Sequence, residues 1–223
     1  VRTDDVAIDV LPDGAGVDSL GARAMQSALI ARIYKRVWRP VSFGVSTRFG
    51  APGASQEARL VIEKIAATPG PWLDLSCGPG TSTRALVAHA GTRAVFGVDL
   101  SRAMLARAHA AAPTAVLVRA DAAHLPFRDA SFGAVVNLAA LDLYVDPARV
   151  IAESSRVLAS GGRWVVSTFV AGRGGARLRP RSPWSGVRRP TLESVAQAAA
   201  SAGLRGFAAM PFRRYAIAWA DKP

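Results

Sequence analysis

The chain of 223 residues has one cysteine, Cys77, which excludes an intramolecular disulfide and leaves no cysteine cluster for a metal ion. Cys77 stands inside a small-residue turn with no base near it in sequence, so it reads as a packing residue rather than a reactive thiol. No uninterrupted apolar run is long enough to read as a membrane-spanning helix. No basic-then-apolar leader with a small-residue cleavage site stands at residue 1, and a cytoplasmic protein is expected. Acidic residues are scarce: 16 Asp and Glu stand against 28 Lys and Arg, a net charge of +12. Such a field attracts anionic partners. The basic residues are nevertheless spread along the chain, apart from Arg173 to Arg189, and no aromatic side chains interleave with them as in single-strand binders. Nucleic acid is therefore not the expected substrate. No internal repeat is present.

What the chain does contain is a succession of short apolar runs alternating with helical patterns. The most informative is Trp72-Leu-Asp-Leu-Ser-Cys-Gly-Pro-Gly-Thr81, where an apolar run stops in a small-residue turn and then feeds a helix. Asp74 sits at the strand's carboxyl end, Gly78 and Gly80 let the backbone pass close to a ligand, and Thr81 or Ser82 can cap the helix. Asp74 can equally be a turn former that satisfies backbone amides. A second run, Ala94 to Asp99, ends in an acid 25 positions after Asp74. An acid at the tip of the second strand of a βαβ unit can accept both ribose hydroxyls of a nucleoside. A third run leads to Asp121, and a fourth, Ser131 to Leu138, is followed by a helical stretch from Asp146 that ends at Gly161-Gly162.

Over roughly residues 57–170 these segments resemble the motifs of class I S-adenosylmethionine-dependent methyltransferases, with Ser76 in the first glycine place of the acid-x-Gly-x-Gly-x-Gly turn. The resemblance implies S-adenosylmethionine as donor and S-adenosylhomocysteine as product. It also implies a donor site of Asp74, Ser76, Gly78, Gly80, Thr81, Asp99, Leu100, Met104, Asp121, Ala122 and Asn137. There Asp99 holds the ribose, Asp121 receives the adenine amino group, Met104 packs on the adenine, and Asn137 with Leu138 lies near the amino-acid part. A Met at helical spacing is also an ordinary core residue. A dinucleotide-binding enzyme shares the glycine turn and the second acid, but the wording of residues 74–81 and the double-glycine turn favour the methyl donor. Leu125-Pro-Phe, Ser131-Phe and Arg156 to Gly162 look most like the small-molecule branch that includes menaquinone and ubiquinone C-methyltransferases. The Asn-Pro-Pro-Tyr motif of amino-methylating enzymes for bases is missing.

Strands are predicted near 71–76, 94–99, 115–119, 132–138, 163–169, 204–210 and 213–219, and helices near 55–67, 81–90, 101–111, 147–158 and 191–202. The expected fold is α/β: a Rossmann-like doubly wound sheet of seven strands, mostly parallel with the last antiparallel, helices on both faces, and an N-terminal helical lid. Residues 57–223 form the donor-binding domain and residues 1–56 an arm and lid. Within the latter, residues 1–19 read as an extended or loosely held arm. Residues 20–39 place Met25, Leu29, Ile33 and Val37 at fourfold spacing against a strongly basic side. That fits peripheral membrane contact and equally a lid across the nucleoside pocket. Residues 171–190, rich in Gly, Pro and Arg, read as a loop.

Methyl transfer is an in-line displacement in which positioning supplies much of the catalysis. A base is needed only for an acceptor of high pKa or a carbon that must lose a proton. The resemblance turns the segment Ala139 to Asp146 toward the methyl group. Asp142 is then a base or acceptor orienter, Tyr144 a hydrogen-bond donor or pocket wall, and Tyr34, on the lid, can close over the reacting atoms. Helix capping by Asp146 and core packing by Tyr144 are the plain alternatives. The expected function is methyl transfer to O or C of a small, apolar or aromatic molecule such as a natural product, quinone or lipid, with no metal. Two other readings stay open: the same fold holding the donor as a non-methylating cofactor in a cyclisation-type reaction, and a basic membrane-associated partner protein. Acceptor identity and oligomeric state are not encoded in any motif.

Overall fold

The short apolar runs become strands of one sheet in the computed structural model, which describes residues 2–3, 6–11, 52–171 and 189–223. The proposed lid helix with Tyr34, and residues 172–188 of the Arg-rich loop, lie outside the described residues. In chain order the elements are β1 (Arg2–Thr3), β2 (Ile8–Asp9), α1 (Ala54–Ile65), β3 (Trp72–Leu75), α2 (Thr81–His89), β4 (Val95–Asp99), α3 (Arg102–Ala111) and β5 (Val116–Arg119). They continue with β6 (Phe132–Leu138), a single 3-10 turn (Leu141–Leu143), α4 (Pro147–Val157), β7 (Leu158–Phe169), α5 (Leu192–Ser201), β8 (Arg205–Phe212) and β9 (Tyr215–Asp221).

The sheet order is β1-β2-β5-β4-β3-β6-β7-β9-β8. Strands β2 through β7 pair in parallel, and β9 runs antiparallel between β7 and β8. The α/β class, the mostly parallel sheet and the antiparallel last strand stand as expected. The strand count does not: nine strands are present among the described residues, not seven. The additional pair is β1 and β2, part of the segment expected to be a loose arm. Ile8 and Val10 pack it on the core, and an ion pair adds to the anchor. Arg119 ends β5 and is itself buried, so its guanidinium needs a partner, and Asp9 Oδ2 on β2 lies 3.2 Å from Arg119 Nη1. Arg102 closes on the same carboxylate. Burial acts to raise the Asp9 carboxyl, but the Leu11 N–H and the two guanidiniums outweigh it and hold it below its ordinary value.

Period-two alternation sends successive strand residues to opposite faces, which is why the central strands are apolar throughout. Leu73, Leu75, Val98, Val118, Val135, Trp164 and Val166 face one way and pack against Val150, Ile151 and Val157 of α4 and Val195 and Ala199 of α5. Trp72, Val95, Ala134, Val136, Val165 and Ile217 face the other way and meet Val61 and Ile65 of α1 and Leu86 of α2. Caps close several helices as the sequence suggests. Asp146 Oδ1 accepts from Arg149 N at 3.0 Å ahead of Pro147, and Thr191 with Ser194 makes a reciprocal capping pair. The Gly161-Gly162 turn is absorbed into β7. The pairing slips from Phe132↔Leu158 to Ala134↔Arg163, so residues 159–162 form a bulge rather than a separate loop. Among the described residues no helix is long and apolar enough to cross a membrane.

Candidate functional site

The chain runs outward from β3 through β4 to β5, then returns to lay β6 on the opposite side of β3. Strand order reverses there, and in open α/β sheets ligands bind in the crevice outside the carboxyl ends at such a point. A cleft lies at this place, walled by Ser76, Gly78, Pro79, Thr81 and Ser82 after β3, by Leu138 and Ala139 after β6, and by Ala54, Glu57 and Ala58 of α1.

The turn after β3 is built differently from its sequence reading. Thr81 and Ser82 do not cap α2; the N-cap is Gly80, with no side-chain cap bond. Asp74 takes their place from below. Its Oδ2 accepts from Ser82 Oγ at 2.8 Å and from Thr83 Oγ1 at 2.6 Å, pinning the first turn of α2 to the end of β3. Asp74 is therefore a former of the turn. Gly80, at φ +76°, has a packing requirement of its own: a Cβ there would come within 2.6 Å of Ala108 Cα on α3. Gly78 is the open one: at φ +54°, with no atom within 4 Å of where a Cβ would stand, it fronts the cleft. Burial, with the Asp99 and Asp74 carboxylates nearby, pushes the Cys77 thiol well up, which keeps it protonated and inert.

Asp99 crosses from β4 to this turn. Its Oδ2 accepts from Gly78 N at 2.9 Å and its Oδ1 from Ser101 N at 2.8 Å. A carboxylate offers about four acceptor positions, so about two remain for a vicinal diol. Burial raises its carboxyl, against the opposing backbone N–H groups of Ser101, Gly78 and Leu100. Leu100 sits beside it and its carbonyl receives Arg119 Nε at 3.0 Å. Met104 is buried behind the Ser101 cap, and Ala122 is buried after β5. Asp121 is half exposed at the β5 end, where Oδ1 accepts from Ala123 N at 2.9 Å and Oδ2 lies 3.1 Å from His124 Nδ1.

On the β6 side, Asn137 and Tyr144 meet the turn after β3. Asn137 Nδ2 donates to Leu75 O at 2.8 Å and to the Tyr144 hydroxyl at 2.9 Å, and that hydroxyl lies 2.6 Å from Ser76 Oγ. Ser76 needs φ +57° to reach it. Burial drives the Tyr144 phenol well above its ordinary value, so it stays a neutral tie between two strand ends. Asn137 Oδ1 and Thr81 Oγ1 are buried without a hydrogen-bond partner in the structure. Asp142, on the 3-10 turn, is 5% exposed, and burial pushes its carboxyl up to about 6 although Arg189 Nε stands 3.9 Å away.

Sequence reasoning missed Glu57. It is 1% exposed, and Tyr215 donates a hydrogen bond to its Oε1. Tyr215's hydroxyl is also 2.8 Å from Ser167 Oγ, which accepts from Ala139 N at 3.0 Å. The signal was present: Glu57, Val61 and Ile65 fall four apart, so an acid occupies the apolar stripe of α1.

A methyltransferase domain model matches residues 73–166. The chain is 32% identical over 153 residues to the phosphatidylethanolamine N-methyltransferase of Cereibacter sphaeroides, covering 66% of this chain and 71% of that protein. The chain belongs to the class I S-adenosylmethionine-dependent methyltransferases. Its likeness extends to an uncharacterized chloroplastic methyltransferase of Arabidopsis thaliana, 32% identical over 197 residues, which covers 84% of this chain and 53% of that one. This methyltransferase spans about half the length of the first curated relatives it matches. Its fold is shared with the geranyl diphosphate C-methyltransferase of Streptomyces coelicolor, solved with S-adenosyl-L-homocysteine. The TM-score is 0.61 at 19% identity, over 76% of this chain and 80% of that one. The strand ends around the cleft fit the family's donor on their own chemistry: Thr81 Oγ1 in the cleft wall and Asn137 Oδ1 beside it are buried without a hydrogen-bond partner, and beyond the wall Asp99 has spare acceptor positions and Asp121 is half open.

Proposed function

We propose that this methyltransferase moves a methyl group from S-adenosylmethionine to an oxygen or carbon of a small apolar or aromatic acceptor. The observation that carries the reading is Asp99, a carboxylate fixed by two backbone N–H donors at the strand-order reversal with acceptor positions to spare. In this reading Asp99 accepts the ribose hydroxyls, Asp121 the adenine amino group, and Leu100, Met104 and Ala122 line the nucleoside. Ser76, Gly78, Thr81 and Asn137 border the amino-acid end, while Asp74 and Gly80 hold the turn in shape. Bound S-adenosylmethionine supplies an electrophilic methyl group; the chain's residues orient, desolvate and handle the proton.

Asp142 is the proton acceptor. A carboxyl with a pKa of about 6 is mostly ionised at neutral pH yet basic enough to take a proton from an acidic hydroxyl. Tyr144 acts as a positioning residue through Ser76 and Asn137. The segment of residues 20–39, with Tyr34, serves as the lid, whereas β1, β2 and the start of α1, expected to stand apart in residues 1–56, belong to the sheet domain. An apolar acceptor is supported by the resemblance to quinone methyltransferases and by the lipid named for the Cereibacter relative. The test is incubation with S-adenosylmethionine and a panel of hydroquinones, phenols and lipids, read by mass spectrometry. Equimolar S-adenosylhomocysteine and methylated acceptor are expected; product formed with the donor unconsumed favours the non-methylating alternative and overturns the reading.

A further inference from the structure

Among the described residues that wall the cleft, Glu57 is the one charged side chain. It reaches the cleft from α1, outside every segment that carries the family's motifs. A buried carboxylate is costly unless something holds it, and here the holder is directional. Tyr215 has a single hydroxyl proton and the carboxylate can only accept, so that proton goes to Glu57. Ser167 Oγ, 2.8 Å away, then donates to the Tyr215 oxygen, and Ala139 N donates to Ser167 Oγ at 3.0 Å. The chain of donors begins at the cleft's own β6 wall, where Ala139 takes φ +54°, and ends on Glu57. The same fold element that shapes one wall thus orients the acid on another.

We infer that Glu57 receives the α-ammonium group of the donor's amino-acid portion. The inference rests on the donor-binding reading above. Glu57 shares its cleft with Ser76, Gly78 and Leu138, the residues that border the amino-acid end rather than the nucleoside acids Asp99 and Asp121. Of the two charged groups at that end, only the ammonium is complementary to a carboxylate. The donor's own carboxylate, repelled by Glu57, is directed to Thr81 Oγ1, which lines the same cleft and is buried without a hydrogen-bond partner. Glu57 is in this sense a binding residue that reads the zwitterion.

The test is calorimetric titration of wild type, Glu57→Gln and Tyr215→Phe with two ligands: S-adenosylhomocysteine and 5′-methylthioadenosine, which keeps the nucleoside and lacks the amino acid. Glutamine is nearly isosteric and still accepts from Tyr215. A charge-assisted bond of this kind is worth about 10- to 100-fold in affinity. Glu57→Gln is expected to weaken S-adenosylhomocysteine by that factor and leave 5′-methylthioadenosine unchanged. Equal loss for both ligands, or no loss for either, overturns the assignment. Should Glu57→Gln fail to fold, Tyr215→Phe carries the test: a smaller loss confined to S-adenosylhomocysteine supports it, and a loss common to both overturns it. Wild type that binds neither ligand overturns the donor-site reading itself, a result separate from any pattern among the variants.

Discussion

The backbone N–H of Gly78 donates to Asp99 Oδ2 at 2.9 Å, joining the turn after β3 to the tip of β4. One carboxylate therefore fixes the glycine turn and, in the proposed reading, also holds the donor's ribose. Asp99→Ala removes both roles, and S-adenosylhomocysteine affinity is expected to fall at least about 100-fold, since hydrogen bonds to a charged group contribute about 1.5–3 kcal/mol each. Because burial raises this carboxyl, wild-type affinity should weaken on acidification at a pH above the ordinary carboxylate range. Titration calorimetry across pH measures both.

Two glycines in the same turn should respond to a single methyl group to different degrees. Gly80→Ala drives a Cβ to within 2.6 Å of the Ala108 backbone at φ +76°. It is expected to cost about 3 kcal/mol or more of stability through overpacking and left-handed strain. Gly78→Ala meets no neighbour and carries only the strain of φ +54°, about 1 kcal/mol. Urea denaturation of the two variants gives the difference directly.

Tyr144→Phe takes away the group shared by Ser76 and Asn137. Asn137 keeps its bond to Leu75 O, so the fold should survive with a loss of about 1–2 kcal/mol. Donor affinity should drop several-fold. Since the phenol is held protonated, the ratio of wild-type to variant affinity is expected to stay flat from about pH 6 to 9; a ratio that changes across that window would make Tyr144 a titrating group instead.

Asp142→Asn should trade activity for stability. The folded carboxyl is raised by burial from 3.8 to about 6, so the neutral form is favoured in the fold. The stability this gives is complete below the unfolded pKa and is lost as pH rises through about 6. At pH 7 the wild type therefore carries an ionised buried acid, and the neutral amide is expected to be more stable by up to about 3 kcal/mol. Near pH 4 the advantage should vanish. Methyl transfer in the wild type should rise with pH through about 6, and the variant should lack that limb. Denaturation at the two pH values and a pH–rate profile check the pair of outcomes.

Much of the frame was legible in the residues because strand and helix periodicity is local. Runs such as Trp72–Leu75 and Phe132–Leu138, separated by turn and capping signals, dictate alternating strands and helices wherever the chain places them. The glycine turn and the acids at strand ends likewise lie within a few positions of their elements, so Asp99 and Asp121 were readable as site candidates. Other properties depended on contacts between residues far apart in sequence. That Gly80 makes room for Ala108, that Tyr144 closes on Ser76, and that Glu57 is aimed into the cleft by Tyr215 are long-range facts. Strand β2 is the same kind of case: the short apolar stretch around Ile8 and Val10 gains its place only where it packs on the core beside β5 and where Asp9 meets buried Arg119. Periodicity determined the elements by itself; burial, which turns a surface-like acid into a fixed charge, was decided only when the elements packed.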